Sequence, residues 1–426
     1  MMRRITNYKY MIATLLYVSL FFIQSLTLVW TTGYIFQALI LNTAIMLGIY
    51  AFRGFDNSST SSQNSCFVSY LSGTILGTLF SIIPILFFSA RLPRFTMAVT
   101  AGISIFIFPY IGCMLMRYTI KNLPPRRYLV IGREEELSPI LEEVKKASMN
   151  KIEIYTYMNP SPAILTAAIE IEAIKPYDAI LIGDPQLARG VSDILDGAIS
   201  RHINIEYLPK LVEESLQRIP ETLLIKFKEY YTVLFSETYI SKRIRVLDFL
   251  FASFVFLLAS PFVLFAIIYI LIKDGRPVFF KQERAGYLGR TYRLLKLRTM
   301  DDIIEKNGET KTVDTKSGKI LRKFRLNEIP QILNVLRGQM SLVGCRPDMP
   351  WQHAKWSRAF LMYSARMNSL PGITGHAQVL YKYVNTDEEV KKRLEYDLYY
   401  IKNRSVKLYL TTIIRTFETV LLGRGK

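Results

Sequence analysis

Residues 246–272 form an apolar run with a Ser-Pro pair, Ser260-Pro261, near its middle. No other feature restricts the fold so strongly. The run is long enough to cross a bilayer, which takes about 20 apolar residues. Proline removes a backbone donor and breaks a helix, so two half-helices are expected in place of one straight span. Lys242, Arg243 and Arg245 precede the run, and Lys273 and Arg276 follow it. Basic residues on both flanks suit a helix that dips in and returns to the same side. A proline-kinked full crossing is the alternative.

The N-terminal third carries further apolar runs near residues 10–30, 34–52, 67–90 and 95–116. Each approaches the length of a spanning helix. The first is too long, and too closely followed by others, to be a cleaved leader. Arg3, Arg4 and Lys9 precede the first run, and Arg117, Lys121, Arg126 and Arg127 follow the fourth. An even number of crossings with basic residues at both ends places both ends in the cytoplasm. Arg91 and Arg94 in the last short loop run against that rule. The expected role of this block, residues 1–122, is an anchor.

After the boundary LPPRR, residues 126–232 alternate strand-like and helical patterns. Strands are expected at 128–132, 152–157, 179–183 and 203–207, with a helix over 137–147. That alternation predicts a small parallel sheet of Rossmann-like (CoA-binding-like) topology. The first strand runs into GREEE, not a glycine fingerprint. Glu134, Glu135 and Glu136 would repel a pyrophosphate at the helix N-terminus, so no dinucleotide is expected here.

Composition narrows the partners. Half of the 426 residues are hydrophobic and the formal net charge is +19. That excess suits lipid headgroups or phosphates. Nucleic acid is disfavoured because no reader motif accompanies the charge. Cys66, Cys113 and Cys345 are widely spaced, which gives no basis for a disulfide framework or a zinc site.

The chemistry concentrates in LRKFRLNEIPQILNVLRGQMSLVGCRP, residues 321–347. Glu328 lies between Arg322 and Arg346, and Gly338 and Gly344 mark turns. Guanidinium forks suit phosphate oxygens, and a nearby carboxylate can hold Mg²⁺ or act on phosphorus. An amphipathic helix with solvated charges is the plainer reading.

This stretch, together with FFKQERAGYLGRTYRLLKLRTM (279–300), PGITGHAQV (371–379) and YDLYYIKN (396–403), resembles the bacterial sugar transferase family. Its members are monotopic phosphoglycosyl transferases, which move a sugar phosphate from a nucleotide diphosphate sugar to polyprenyl phosphate. The resemblance covers residues 241–426 and implies a mainly helical catalytic domain with its re-entrant helix over 246–272. It implies Glu328 as catalytic residue and Mg²⁺ ligand. Arg322, Arg346, Lys281, Arg284, Lys296 and Arg298 become candidate phosphate or headgroup contacts. The family has an Asp-Glu dyad where this chain has Asn327-Glu328, and GPRP where it has GCRP with Cys345. A carboxamide cannot form the acyl phosphate that the family aspartate is thought to form. Four readings stay open: Glu328 as nucleophile, direct attack by the lipid phosphate, a relative without turnover, or an inactivating substitution. Gly286, Gly289, Pro371, Gly372, Thr374 and Gly375 read as turn or loop residues, as does His376.

Thr386 reads as an N-cap of a helix with acidic residues in its first turn. Residues 408–422 are either a surface-lying membrane helix or a core helix. The expected whole is a membrane protein, α plus α/β: a four-helix transmembrane bundle, a Rossmann-like middle domain and a monotopic catalytic domain. It is expected in the bacterial inner (cytoplasmic) membrane with its catalytic domain on the cytoplasmic face. The implied activity is the first membrane step of exopolysaccharide, capsule or O-antigen synthesis, using a UDP-hexose and undecaprenyl phosphate. Alternatives are a silenced scaffold or regulator, and a nucleotide-sugar dehydratase, which the missing glycine fingerprint disfavours. Oligomeric state is left open, with a homodimer as one option.

Overall fold

The computed structural model describes residues 11–22, 32–55, 63–88, 101–158, 177–193, 195–196, 203–237, 240–304, 310–381 and 386–421. The chain forms two compact units, Met1–Ile219 and Pro220–Lys426. In the first, helices α1 (Met11–Phe22), α2 (Thr32–Ala51), α3 (Gln63–Phe88) and α4 (Ala101–Asn122) share one core that includes Leu16, Ile45, Ile49, Tyr70, Met116 and Ile120. Small residues let α2 and α3 touch backbone to backbone. A Cβ on Gly48 would lie 2.1 Å from the Gly73 carbonyl oxygen, and one on Gly77 would lie 2.5 Å from that of Ala44. Close approach of this kind is how apolar helices gain packing where burial alone gives no drive. Their outer faces are apolar too, with Leu15, Val18, Leu47, Val68 and Phe80 exposed. A helix group that is apolar inside and out suits lipid more than water.

The same unit continues into a four-stranded parallel sheet. Its strands are β1 (Arg126–Ile131), β2 (Ile152–Met158), β3 (Ala179–Ile182) and β4 (Asn204–Tyr207), in the order β2-β1-β3-β4. Leu129, Ile131, Ile180 and Ile182 fill its core, as expected of parallel strands covered on both faces. Helix α5 (Glu134–Ala147) carries Glu134, Glu135 and Glu136 in its first turn. Short α6 (Pro185–Arg189) is capped by the Asp184 carboxylate, and α7 (Leu208–Leu216) follows β4.

The second unit begins at Pro220, earlier than the expected 241. Helices α8 (Glu221–Lys226) and α9 (Lys228–Ser236) attach to it through side chains that the sequence pattern does not show. Lys391 pairs with Glu221, Lys402 lies over the rings of Tyr230 and Tyr231, and Asn368 donates to the Phe235 carbonyl. Residues 220–232 therefore leave the expected middle domain.

The apolar run is helix α10 (Lys242–Lys273), and it is continuous through Ser260-Pro261. The expected split into two half-helices is corrected. One proline removes one backbone donor, and the neighbouring turns hold, with the Ser260 hydroxyl donating to the Leu257 carbonyl at 2.9 Å. What the run does show is attachment at both ends only. Ile244, Asp248 and Ala252 are buried at one end and Ala266 and Ile270 at the other, each set at helical spacing. Between them residues 254–258 are all exposed, a stretch of more than a full turn. The Asp248 carboxylate accepts from Ser341 Oγ (2.9 Å), Leu342 N (2.8 Å) and Tyr409 OH (2.8 Å). At the far end Asp274 accepts from Lys316 N (3.0 Å), Ser317 N (3.2 Å) and the Ser317 hydroxyl.

Beyond α10 come the hairpin β5 (Phe279–Ala285) and β6 (Thr291–Leu297), then the hairpin β7 (Met300–Ile304) and β8 (Thr310–Asp314). Helices α11 (Gly318–Lys323) and α12 (Gln331–Leu336) follow. Strand β9 (Ser341–Val343), helix α13 (Pro350–Ala359), strand β10 (Gly372–Thr374) and helix α14 (His376–Leu380) come next. Helix α15 (Asp387–Lys402) opens on a capping box between Thr386 and Glu389. Helix α16 (Val406–Leu421) buries Tyr409 with Ile244, Val343 and Tyr400, which makes it a core helix of this unit.

Replacing Asp248 with alanine strands a buried hydroxyl pair and a backbone N–H. Asp248→Ala is expected to cost about 3 kcal/mol, since unsatisfied buried donors carry their full desolvation cost. Denaturant unfolding of the detergent-solubilised chain measures it.

Candidate active site

Strand pleating decides which basic side chains meet. In the β5–β6 hairpin Phe280 pairs with Lys296, Gln282 with Leu294 and Arg284 with Tyr292. Directly opposed residues share a face, so Arg284 and Lys296 lie on the face that buries Tyr292 and Leu294. Lys281 pairs with Leu295 and is exposed on the other face. It does not join the cluster. Asn334 of α12 fixes β6 by accepting from Leu295 N (3.1 Å) and donating to the Arg293 carbonyl (2.9 Å).

A 3-10 turn, Leu326–Glu328, delivers the carboxylate. Arg325 enters it at φ 54°, which turns the chain sharply before Glu328. Glu328 Oε1 stands 3.7 Å from Lys296 Nζ, and both side chains are partly buried. Burial in chief, joined by Arg346 and Arg284, lowers the pKa of the Lys296 ammonium, while Glu328 pulls it up. Lys296 thus pairs with Glu328 and lies within electrostatic reach of Arg346 and Arg284, with Asn327 on the same turn as the carboxylate.

Arg346 is positioned by its backbone. A Cβ on Gly344 would lie 2.3 Å from the Leu370 carbonyl oxygen, one on Gly372 would lie 2.1 Å from Gly344 N, and one on Gly375 would lie 2.2 Å from the Gly344 oxygen. Gly344 N donates to the Thr374 carbonyl and Gly372 N to that of Cys345, both at 2.9 Å. The expected tight loop at 371–375 therefore locks the Arg346 loop. Below it lies a buried ion network that the motifs did not announce. Arg366 pairs with Asp348, donates to Asp397 at 2.9 Å, and donates to the Arg346 carbonyl at 2.8 Å. Arg393 and Tyr363 also donate to Asp348, at 3.1 and 2.7 Å. Burial opposes ionisation of Asp348, but Arg366 and Arg393 outweigh it and hold its carboxyl below the ordinary value. From the hairpin side Arg284 donates to the Pro347 carbonyl at 3.1 Å. Cys345 is fully enclosed, and burial pushes its thiol up, which makes it inert packing.

Two expected phosphate contacts are engaged elsewhere. Arg322 pairs with Asp314 and reaches Met300 Sδ at 3.4 Å, against the β7–β8 hairpin. Arg298 donates to the carbonyls of Asp274 (2.6 Å), Gly275 (3.1 Å) and Arg276 (3.0 Å), closing the end of α10. Both are taken up by these partners, a distinction that a sequence without its contacts hides. His376 is buried and stacked on Tyr399, with ring centroids 5.1 Å apart, so it is packing and not a base. Of the missed residues, Asp397 sat inside the quoted YDLYYIKN motif. Asp348 and Arg366 gave no sequence signal.

Glu328 and Lys296 lie in a segment that matches a recognised family. Residues 239–423 match the family described as bacterial sugar transferase. A Bacillus subtilis sugar transferase, EpsL, is 37% identical over 188 residues, 42% of this chain and 88% of its own. This chain belongs to the bacterial sugar transferase family. The UDP-glucose:undecaprenyl-phosphate glucose-1-phosphate transferase of Caulobacter vibrioides is 37% identical over 42% of this chain and 70% of its own. The UDP-N-acetylgalactosamine-undecaprenyl-phosphate N-acetylgalactosaminephosphotransferase of Aeromonas hydrophila is 32% identical over 256 residues. That match takes in 58% of this chain and spans 60% of the Aeromonas protein. It is longer than the family match, so this relative's likeness reaches beyond the sugar transferase segment.

Asp348 links the network to pH. Its depressed native value means its stabilisation is present above the unfolded carboxyl pKa of roughly 3.9 and is lost as pH falls through the native value. Asp348→Asn is expected to lower stability by about 3 kcal/mol at neutral pH and to flatten the acid limb of the stability curve. Unfolding midpoints of both proteins from neutral to acid pH report it.

Proposed function

We propose that this protein transfers a sugar 1-phosphate from a nucleotide diphosphate sugar to polyprenyl phosphate at a membrane surface. The observation that carries this reading is Glu328 paired with Lys296, which also feels the charges of Arg346 and Arg284, inside a domain whose longest helix is buried at its two ends. The reaction breaks the bond between the sugar-bearing phosphorus and the oxygen bridging to the nucleoside phosphate. Nucleoside monophosphate leaves, and an oxygen of the lipid phosphate ends on that phosphorus. Such transfers depend on charge neutralisation and in-line placement more than on elaborate side-chain chemistry. Lys296 and Arg346 would hold the diphosphate oxygens, with Arg284 orienting the Arg346 loop. Asn327 cannot be the nucleophile, which leaves Glu328 or the lipid phosphate itself to attack.

Mg²⁺ fits this site as a substrate-borne ion. Among the described residues no group of three or more His, Cys, Asp and Glu could hold a metal. One carboxylate, Glu328, with substrate phosphates and water completing the shell is an ordinary Mg²⁺ arrangement. The ion would supply neutralisation of phosphate charge as the bridge breaks.

In the membrane, α1–α4 would form a four-crossing anchor and α10 would enter and leave on the cytoplasmic side. Basic residues flank both sets, which favours that orientation. The relatives' names point to UDP-glucose and UDP-N-acetylgalactosamine as first donors to test, in exopolysaccharide or capsule synthesis.

Membranes containing the protein, polyprenyl phosphate, Mg²⁺ and labelled UDP-glucose, UDP-galactose or UDP-N-acetylgalactosamine should yield lipid-extractable label. Glu328→Gln should reduce that label by about 100-fold or more, the scale of losing one preorganised charge at a transferring phosphoryl group. Label unchanged in Glu328→Gln, or absent with every donor in the parent protein, would refute the assignment. Single cysteines replacing Lys242 and Arg276 should both react with an impermeant maleimide in inside-out vesicles. Reaction of the two from opposite sides would refute re-entry.

A further inference from the structure

The first unit contains a cavity of about 1020 Å³ that the catalytic reading does not use. It lies where α3 and α4 meet the end of α5 and the turn after it. Arg117, Lys121, Lys146 and Lys151 line it, and no carboxylate does among the described residues. Arg117 is the telling member. Its Nη1 is buried and has no hydrogen-bond partner. An unpaired buried guanidinium N–H is costly, and such a group ordinarily marks a missing acceptor. Lys151 is already partly engaged, donating to the carbonyls of Lys121 (2.9 Å) and Leu123 (2.6 Å), so it caps α4 while keeping its charge at the cavity.

The other wall is apolar. Phe67, Tyr110 and Met114 line the same space and are exposed on the outer faces of α3 and α4. A cavity for a free anion needs no hydrocarbon wall and far less volume. One that is cationic at one end and opens along exposed apolar helix faces matches a headgroup with the start of an acyl chain. We propose that this cavity holds the phosphate headgroup of an anionic membrane glycerophospholipid, with Arg117 as its principal anchor. The site is separate from Glu328 and its test does not depend on turnover.

The full chain in uncharged detergent is incubated with equimolar phosphatidylglycerol and phosphatidylcholine and passed through gel filtration. Retained lipid is then quantified by mass spectrometry. The parent protein should keep phosphatidylglycerol over phosphatidylcholine by about fivefold or more, and Arg117→Gln should abolish the preference while Arg117→Lys keeps most of it. Equal retention of the two lipids, or an undiminished preference in Arg117→Gln, overturns the proposal. Displacement of phosphatidylglycerol by millimolar inorganic phosphate overturns the lipid assignment in favour of a free-anion site. The unfolding midpoint of Arg117→Gln without added lipid checks its integrity. If that variant is unfolded, Lys121→Gln combined with Lys146→Gln takes its place, and an undiminished preference there overturns the proposal equally.

Discussion

Two carboxylates hold a long greasy helix to the domain that follows it. Asp248 takes three donors at one end of α10 and Asp274 takes donors at the other, while the middle is exposed. A helix of this hydrophobicity left to itself would be driven by solvent exclusion alone, with no preferred register against its neighbours. The carboxylates supply that register. Asp248 bonds the start of β9, whose far end leads directly into Gly344 and Arg346. Asp274 bonds the segment that leads through α11 to the Glu328 turn. The two halves of the cationic cluster are thus each tethered to one end of the same helix.

Charge in this unit is divided between display and support. Lys296, Arg346 and Glu328 are partly accessible, whereas Arg366, Asp348 and Asp397 are almost wholly enclosed. Enclosed ion pairs are poor sources of stability, because desolvation offsets much of their attraction. What this one provides is direction: five polar groups converge beneath a loop whose glycines leave no free space. Asn334 plays the same part for β6 from the opposite side, with Gln339 as its further partner at 2.7 Å.

Much of this arrangement could be read from the chain, and the limits of that reading have physical causes. The four parallel strands fell where apolar stretches alternate with helical patterns, because such strands must be covered on both faces. Glu328 and Lys296, which stand in separate motifs of the sequence, pair at 3.7 Å. Arg298 and Arg322 could not be sorted from them, since a guanidinium that clasps carbonyls looks the same in sequence as one that faces a ligand. Lys281 required the pairing register of a hairpin, which depends on its turn at Gly289, φ 77°. The helix through Ser260-Pro261 shows a local rule overridden: one lost donor is small against the intact turns on either side. The start of the second unit at Pro220 was invisible because α8 and α9 are joined to it by single long-range contacts, not by pattern.

Arg298 has a wider bearing. Its guanidinium, only 11% exposed, clasps the three carbonyls just past α10, those of Asp274, Gly275 and Arg276. It therefore works as a splice between the helix and the hairpin that carries Lys296. Any displacement of that end of the helix is passed along two residues of chain to the lysine beside Glu328, so the site moves with the helix it is bonded to.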